Sequence, residues 1–529
     1  MVPRLPAGAL LCGCLLAPCL ASDDPETALP EEGDQAAAQA RTDALPIADG
    51  SLRLRLQTDS VSLGGARMYQ RATGRIGEWE VAAVGERDPG ERRWFDHAVG
   101  YAHRRRGSRG LEVALGSLRP AFGQGLLFGR GRSMGVPGPR PRRDGEAVGY
   151  RSASENRDLC GLFLRGRRGG VRLSLVAGGF RRDARLDSSG VALSLPEDGV
   201  HTGSRRDQRD RLAGVVLGAR ATAGDEGARV GITVQQLAFN RLLDLRRPGK
   251  VPEAFAGRGQ TAVAADGLAG VGQGRLFLSA ALAGRRPALV AGVTGVRASP
   301  VRVDLLARAS AAGFFSPFGA SVLGGSPGVR GITARFRGRG WQLWLDETLR
   351  PGARWTEPVP GGTRGLGLRW RRRPVRRLEV TVDAQRRRRS DWSERAQSFP
   401  ATERARLRGR WSPGALRLDA RLEGVRSGGQ SGLAWGLGSR RRTPRGEWSA
   451  QVTRYRTGGW DTRIYEYEQD LPGAVSIRPL YGDGWRICAL AGRRLGTPLG
   501  QVELWLRGRL QAPPLRRQAG LQIELVEPR

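Results

Sequence analysis

The chain is poor in the side chains that most often carry chemistry. Its 529 residues include three histidines, five cysteines and a single lysine. Cys12, Cys14 and Cys19 lie in an apolar N-terminal stretch, which leaves Cys160 and Cys488 for the rest of the chain. These two thiols could pair in an oxidising compartment or serve as small apolar strand residues. Because the thiols and imidazoles show no zinc-binding spacing, we predict no metal site and no cofactor.

Catalytic arrangements are missing as well. Asp96 and His97 are neighbours on one predicted strand and therefore point to opposite faces, so they do not form a catalytic pair. No Gly-x-Ser-x-Gly sequence occupies a strand-to-helix turn. We therefore expect a protein that is not an enzyme and has no catalytic residues.

Negative charge is scarce relative to positive charge. The 87 Lys and Arg against 51 Asp and Glu leave a formal net charge of +36, carried almost entirely by arginine. Such a bias is more typical of a GC-rich genome than of a specific charge function. The basic stretches lack interleaved aromatic residues, so we expect no specific nucleic-acid partner. The run RRRR at 386–389 is interpreted as a loop between strands.

Long hydrophobic runs are also absent. The apolar segment at 5–21 follows Arg4 and ends in a small residue, which is typical of a secretory signal peptide over residues 1–21. Lipidation of Cys14 or Cys19 is the alternative. No later stretch is apolar for about 18 residues, which argues against a membrane-spanning helix. Residues 22–50 hold eight acids against Arg41 and are predicted to be a disordered linker.

From residue 51 to residue 529, apolar and polar residues alternate with a period of two. This alternation is typical of strands with one apolar and one polar face. Examples are SLRLRLQT at 51–58, GVRLSLVAG at 170–178, PVRVDLLARA at 300–309, ALRLDARLEG at 415–424 and QVELWLRG at 501–508. Glycine, with 78 residues, separates the segments, and no helical domain lies between them.

So many two-faced strands need a closed architecture. An open sheet would expose long edges, whereas a barrel removes them. We therefore predict an all-β fold over residues 51–529, a transmembrane antiparallel up-and-down β-barrel of about 24 strands, located in the bacterial outer membrane. Arginines on these strands should point inward or lie near the rims. Eight tryptophans could supply part of an aromatic belt: Trp341, Trp344, Trp370, Trp392, Trp411, Trp435, Trp448 and Trp505.

The stretch RPAFGQGLLFGRGRS at 119–133 superficially resembles a phosphate-binding loop. Such a loop needs a strand before it and a helix after it, and the Gly- and Pro-rich residues after Gly125 cannot begin a helix. A Walker sequence also needs a lysine, which this stretch lacks. We therefore exclude a nucleotide-binding loop here.

The same stretch resembles the GDY…FGQGL signature of a bacterial outer-membrane barrel family. That family often carries N-terminal helix-hairpin-helix repeats of the competence type. GSLRPAFGQGLLFG at 116–129 is similar to the signature, residues 77–105 to the family's Asp-Pro-Gly-Glu turn with its two strands, and residues 461–490 to a late family segment. Ser117 replaces the usual Asp, and the repeats are absent, so their DNA-binding role is not implied. The family has no settled activity that the resemblance could transfer.

We interpret the motif residues as structural. Asp88, Pro89, Gly90 and Glu91 form a predicted turn, in which proline presets φ and glycine takes the positive-φ position. The two acids of this turn could bind arginines across the lumen.

The glycines of the FGQGL signature suggest a close backbone approach. Gly123 and Gly125 flank Gln124, which indicates a tight bend or bulge. Gln124 could satisfy buried carbonyls inside the barrel. The long polar loops at 120–145 and 183–210 either fold inward or hang outside.

The late motif includes Tyr465, Glu468 and Asp470. Together with Glu466, the acids alternate onto one strand face, and arginines across the lumen are their expected partners.

Two functions fit these observations. The first is a pore whose cationic lumen passes anionic solutes or polymers. The alternative is a plugged barrel that acts as a binding or assembly scaffold for lipopolysaccharide, polysaccharide or a secretion or DNA-uptake partner. Outer-membrane lipid and lipopolysaccharide are expected partners in either case, and the sequence does not indicate an oligomeric state.

Overall fold

The computed structural model describes most of the chain from residue 50 onward. The described residues are 50–58, 65–91, 95–105, 110–130, 148–196, 199, 201–225, 227–246, 253–320, 328–350, 359–393, 395–498 and 500–526. The predicted signal peptide, almost all of the predicted linker, and Cys14 and Cys19 lie outside them.

The described residues are almost entirely β-structure. In chain order the strands are β1 (Gly50–Thr58), β2 (Ala66–Ile76), β3 (Trp79–Arg87), β4 (His97–Arg104), β5 (Glu112–Leu118), β6 (Leu159–Arg168), β7 (Val171–Arg182), β8 (Arg185–Leu186), β9 (Ala192–Ser194), β10 (Leu212–Gly224), β11 (Ala228–Asp244), β12 (Ala256–Val271), β13 (Gly274–Ala283), β14 (Arg286–Ala298), β15 (Val301–Ser310), β16 (Arg330–Gly338), β17 (Trp341–Arg350), β18 (Gly361–Val375), β19 (Leu378–Arg389), β20 (Asp391–Ser393), β21 (Ala396–Ser398), β22 (Ala401–Trp411), β23 (Leu416–Ser427), β24 (Gln430–Thr443), β25 (Gly446–Thr457), β26 (Ile464–Glu468), β27 (Ser476–Leu480), β28 (Asp483–Thr497), β29 (Gly500–Ala512) and β30 (Arg516–Val526). Two short 3-10 turns, Gly203–Gln208 and Trp460–Thr462, complete the regular structure of the described residues. None of their helices is long and apolar enough to cross a membrane.

Twenty-four of these strands form one closed antiparallel barrel. Each wall strand pairs with its sequence neighbour, and β1 pairs with both β2 and β30, which closes the ring. The closing register places Arg53 opposite Glu524. Hairpins β8–β9, β20–β21 and β26–β27 lie in connections between wall strands. The predicted barrel of about 24 strands is confirmed.

The two faces of each wall strand differ as the alternation predicted. On β11, Val230, Ile232 and Val234 are exposed on the outside, whereas Thr233 and Gln235 are buried inside. On β1, Leu52 and Leu54 point outward and Arg53 inward, with exposed fractions of 43%, 39% and 3%. The outer wall is therefore rich in exposed leucine, isoleucine and valine.

The connections differ in length between the two rims. Both ends of the described barrel, Gly50 and Val526, lie at one rim, where most turns have two to four residues, as at 272–273. The longest connections, 119–158, 183–211, 311–329 and 458–482, all lie at the opposite rim. We call these the short-turn rim and the long-loop rim.

Several predictions about individual residues need correction. Trp344 and Trp505 are buried inside, because the leucines beside them take the outer face, and each ring covers a glycine of the next strand. The outer wall does carry exposed tryptophans near both rims: Trp370, Trp411 and Trp448 toward the short-turn rim, and Trp435 and Trp485 toward the long-loop rim.

The arginine run at 386–389 is not a loop. It forms the end of β19. Arg386 and Arg388 are exposed on the outer face, whereas Arg387 and Arg389 point inward. The thiols are not paired either: Cys160 is exposed on β6 and Cys488 is buried on β28.

Candidate functional site: the barrel lumen

Four arginines follow one another on the inner face of β22. Arg404, Arg406, Arg408 and Arg410 alternate with small or apolar outward residues such as Leu407, which is 47% exposed. We call these four residues the arginine ladder. Their side-chain exposure rises from 5% at Arg404 to 26% at Arg410, toward the short-turn rim. The half of the ladder nearer the short-turn rim is therefore accessible to water.

Acids along this part of the wall are outnumbered by guanidinium groups. Glu423 lies 2.5–3.4 Å from three of them. They belong to Arg404, Arg406 and Arg421. A single carboxylate is therefore shared by three arginines at this level of the wall.

Two further acids, nearer the short-turn rim, are also shared between arginines. Asp383 contacts Arg369 at 2.5 Å and Arg408 at 3.1 Å. Asp419 contacts Arg417 at 2.7 Å and Arg410 at 3.2 Å. Each of these two acids contacts two guanidinium groups, and Arg410 also lies 3.7 Å from Glu379.

A hairpin folds into the lumen from the connection between β25 and β28. We call residues 464–480, which include β26 and β27, the acid hairpin. Its Glu468 contacts Arg486 and lies 2.7 Å from Arg509, while Asp470 lies 2.8 Å from both Arg507 and Arg509. Burial opposes ionisation, but the two arginines outweigh it and lower the pKa of Asp470. Arginines are therefore the ionic partners of Glu468 and Asp470 in the structure.

The other residues of the late motif have polar partners of a different kind. Glu466 accepts hydrogen bonds from Thr453 and, at 2.7 Å, from the Gln451 amide. The Tyr465 hydroxyl accepts from Arg463 at 2.8 Å, and its carbonyl accepts from Arg421 at 2.8 Å. The hairpin is thus hydrogen-bonded along its length.

The hairpin also reaches the strands that close the barrel. The Pro472 carbonyl accepts hydrogen bonds from Arg53 at 3.0 Å and Arg55 at 2.7 Å. Arg53 in turn pairs with Glu524 at 2.8 Å, and both side chains are buried. We call the inner face from β18 round to β1 the charged arc.

The inner face from β5 to β15 is instead mostly apolar toward the long-loop rim, and we call it the apolar arc. Its buried side chains include Phe163, Val176, Leu237 and Phe277. The motif segment, residues 119–130, folds inward onto it and buries Phe122, Leu126, Leu127 and Phe128. Phe128 packs edge-on against Phe122, with ring centroids 5.3 Å apart.

A second segment, residues 311–320, packs beside the motif segment. The Gly129 amide donates to the Phe318 carbonyl at 2.8 Å, and the Ala320 amide donates to the Gly125 carbonyl at 2.7 Å. Sequence reasoning missed this partner, although the run FFSPF at 314–318 is strongly apolar for a loop. The two segments fold inward together.

The motif glycines make the close approach that the sequence predicted. Gly123 and Gly125 have φ values of +51° and +82°. A Cβ on Gly123 would lie 2.5 Å from a carboxylate oxygen of Asp266. Gln124 is buried, but the amide that donates to the Leu127 carbonyl, at 3.1 Å, belongs to Gln235 on the wall.

The predicted turn at 88–91 is present, with an amide-to-carbonyl bond of 3.2 Å from Glu91 to Asp88 and a φ of +83° at Gly90. Asp88 pairs with Arg67 at 3.0 Å, as expected for an arginine partner. Burial nevertheless raises the pKa of Asp88 to about 6. Glu91 instead accepts from the Asp88 amide at 2.8 Å and lies beside His201.

Comparisons with known proteins give structural likenesses only. No family model matches the chain, and no curated protein does. The family resemblance of the FGQGL signature therefore remains a sequence-based interpretation.

Among solved structures, the translocation pore of the P pilus usher (PapC) is 12% identical, covers 91% of this chain and 99% of its own, and has a TM-score of 0.39. OccK7 (OpdD) of Pseudomonas aeruginosa is 11% identical over 90% of this chain and 97% of its own, with a TM-score of 0.31. OccAB2 of Acinetobacter baumannii is 10% identical over 68% and 99%, with a TM-score of 0.30. Because these TM-scores are below 0.5, the barrel assignment rests on the strand pairing of this chain itself.

Proposed function

We propose that the protein is an outer-membrane pore that passes anionic solutes along the charged arc. The outer wall supports the membrane location, since its exposed residues are mainly aliphatic with tryptophans toward both rims. The unequal rims support it as well, because outer-membrane barrels have short periplasmic turns and longer extracellular loops. By that rule the short-turn rim faces the periplasm.

The observation that carries the pore proposal is the water-accessible excess of arginine. Arg408 and Arg410 are about one quarter exposed inside the barrel, and the acids they contact most closely, Asp383 and Asp419, each contact a second guanidinium group. Arg410 also lies 3.7 Å from Glu379. Fixed charge of one sign in a lumen favours solutes of the opposite sign. Phosphorylated or carboxylated solutes and polymers are the expected class.

The strand number leaves room for a passage. A circular barrel of 24 strands, spaced about 4.8 Å apart and tilted about 40°, would measure roughly 48 Å across its wall. Porins of 16–18 strands already enclose an aqueous channel. The inward segments pack against the wall on both arcs, so they narrow this lumen.

The inward segments also favour a second candidate, a plugged scaffold. In that case the partner would bind the outer surface, where Arg364 and Glu347 pair at 2.6 Å and Arg386 and Glu403 at 3.3 Å near the long-loop rim. Lipopolysaccharide phosphates or a polysaccharide would suit the arginines of this rim, as would a secretion or DNA-uptake partner.

Conductance separates the two candidates. The purified full-length protein is inserted into a planar bilayer, and the reversal potential is measured under a salt gradient. Anion-selective steps are expected for the pore. The double variant Arg408→Gln/Arg410→Gln should lower the anion-to-cation permeability ratio by about twofold or more, because it removes lumenal charge.

The control is Arg364→Gln/Arg386→Gln, which removes the same charge from the outer wall. It should leave selectivity unchanged. Stable insertion without conductance would refute the pore and favour the scaffold. Equal loss of selectivity in both double variants would refute the charged arc as the solute path.

A further inference from the structure

A group of buried acids lies at the long-loop rim, outside both the arginine ladder and the acid hairpin. Three connections contribute to it: residues 88–96, residues 148–158 and residues 183–211. We call this group the rim cluster. Its members are Glu86, Asp88, Glu91, Asp96, Glu155, Asp183 and His201.

His201 lies at the centre of the rim cluster and is 6% exposed. Its Nε2 is 2.9 Å from a carboxylate oxygen of Asp183. Its Nδ1 contacts Asp96 and lies 3.7 Å from Glu91 and 3.8 Å from Glu155. An imidazole nitrogen carries at most one proton, so a histidine alone can donate to only one of the three carboxylates at Nδ1.

Negative charge in the rim cluster exceeds the positive charge that contacts it. Its six carboxylates meet two guanidinium groups in the described contacts, Arg67 at Asp88 and Arg209 at Asp96, besides the His201 imidazole. Buried carboxylates are costly unless a cation compensates them.

Glu86 provides an independent observation that points to a bound cation in the rim cluster. Its side chain is fully buried at the end of β3, and neither carboxylate oxygen has a hydrogen-bond partner among the described residues. The charged groups that act on it most strongly are Asp88, Arg67, Glu155 and Glu91, so it faces the rim cluster. A buried carboxylate without a donor is the expected neighbour of a bound cation.

We propose that the rim cluster binds one divalent metal cation through His201 Nδ1 and the carboxylates of Glu91 and Asp96, with Glu155 beside them at 3.8 Å from Nδ1. The candidate atoms of Glu91, Asp96 and His201 all lie within 4.8 Å of one another. Ligand atoms about 2.0–2.2 Å from a tetrahedral zinc ion lie roughly 3.3–3.5 Å from one another, so a small outward movement of the Asp96 carboxylate from Nδ1 would let one ion bind among them.

Asp183 and Glu86 complete the arrangement. With a metal at Nδ1, the imidazole would keep its proton on Nε2 and donate it to Asp183, 2.9 Å away, which is the carboxylate–histidine–metal arrangement common in metalloproteins. Glu86 adds negative charge behind the ligands. An imidazole among carboxylates favours Zn²⁺ or Mn²⁺ over Mg²⁺. The ion would tie the three connections together at the mouth of the barrel.

Metal titration of the detergent-purified, chelator-treated full chain tests the proposal. Calorimetry with ZnCl₂, MnCl₂ and, separately, CaCl₂ should show saturable uptake of one ion. Glu91→Gln and His201→Ala should each weaken binding by at least about tenfold, and Asp183→Asn by roughly 10- to 100-fold as a positioning residue. Glu86→Gln keeps the side-chain shape and should also weaken binding, which covers the case in which His201→Ala fails to fold.

The matched control is His103→Ala. His103 is also buried and hydrogen-bonded to a carboxylate, Glu112 at 2.8 Å, but it lies away from the rim cluster. This variant should bind metal like the wild type. Binding of Ca²⁺ alone, lost in the same rim variants, would support the site and assign an oxygen-preferring ion. No saturable uptake by the wild type, or equal loss in His103→Ala, would overturn the proposal.

Discussion

The apolar arc and the charged arc are built from the same kind of strand, yet they hold their inward segments by different forces. The motif segment lies on the apolar arc through phenylalanine packing, with Phe122 and Phe128 less than 5% exposed. The acid hairpin lies on the charged arc through Glu468, Asp470 and the arginines that surround them. The outer faces of both arcs carry exposed leucines, so the inward residues account for this difference.

The inward segments can thus be held against the wall while part of the lumen stays hydrated. Burial of one large apolar side chain contributes about 1.5–3 kcal/mol and excludes water from the contact. A buried ion pair contributes less on balance, because desolvation offsets most of the Coulomb attraction. The charged arc therefore fixes the position of the acid hairpin and supplies charge, and its part near the short-turn rim stays hydrated. The apolar arc contributes more to the stability of the barrel.

The largest expected effect concerns the apolar arc. Phe128→Ala should lower the free energy of unfolding by about 3–5 kcal/mol, because it opens a cavity among Phe122, Phe318 and the wall. The measurement is the Tm of the detergent-solubilised protein. Phe399→Ala is the control, since Phe399 is 54% exposed and should change the Tm little. Equal shifts would show that the motif segment does not stabilise the barrel.

The next effect concerns the charged arc. Glu468→Gln removes the carboxylate that contacts Arg486 and leaves Arg509 with Asp470 alone, which should cost up to about 3 kcal/mol and loosen the acid hairpin. The single-channel conductance should rise as the hairpin leaves the lumen. The outward Glu403→Gln, at an exposed ion pair, should cost under about 1 kcal/mol and leave conductance unchanged. An unchanged conductance in Glu468→Gln would mean that ion pairs do not hold the hairpin.

A smaller effect separates backbone strain from close approach in the motif segment. Gly123→Ala and Gly272→Ala both place a side chain at positive φ, +51° and +58°. Only at Gly123 would the new methyl group meet a neighbour, Asp266, whereas Gly272 has open space. Gly123→Ala should therefore cost about 1–3 kcal/mol more in the free energy of unfolding, read from the two Tm values. Equal costs would remove the close approach as the reason for this glycine.

The smallest effect is that of salt. Raising the salt from about 0.1 M to 1 M shortens the Debye length from about 10 Å to 3 Å. Selectivity that depends on the partly exposed Arg408 and Arg410 should fall, as measured by the reversal potential at fixed salt ratio. The Tm difference between the wild type and Phe128→Ala should persist, because packing does not depend on screening. Selectivity that does not vary with salt would contradict a hydrated charged arc.

The sequence alone predicted the wall well. In SLRLRLQT the alternation placed Leu52 outside and Arg53 inside, because side chains on a strand must alternate between faces. The turn at Asp88–Glu91 and the bend around Gly123 were predicted because proline and glycine restrict or widen φ locally. The tryptophans were predicted less well, since Trp344 and Trp505 share the aromatic character of a belt but not its outward position.

The sequence by itself determined the two-residue alternation of the strands, their apolar outer face and the need for a closed barrel. These features depend on residues that are neighbours in the chain, so residue composition and spacing are enough to predict them. Only the tertiary structure decided that residues 119–130 and the acid hairpin fold inward, that Arg53 meets Glu524 and that His201 meets Asp96. The last two pairs are 471 and 105 residues apart in the chain. Such contacts depend on where the closed ring places each strand, and no local pattern encodes that position.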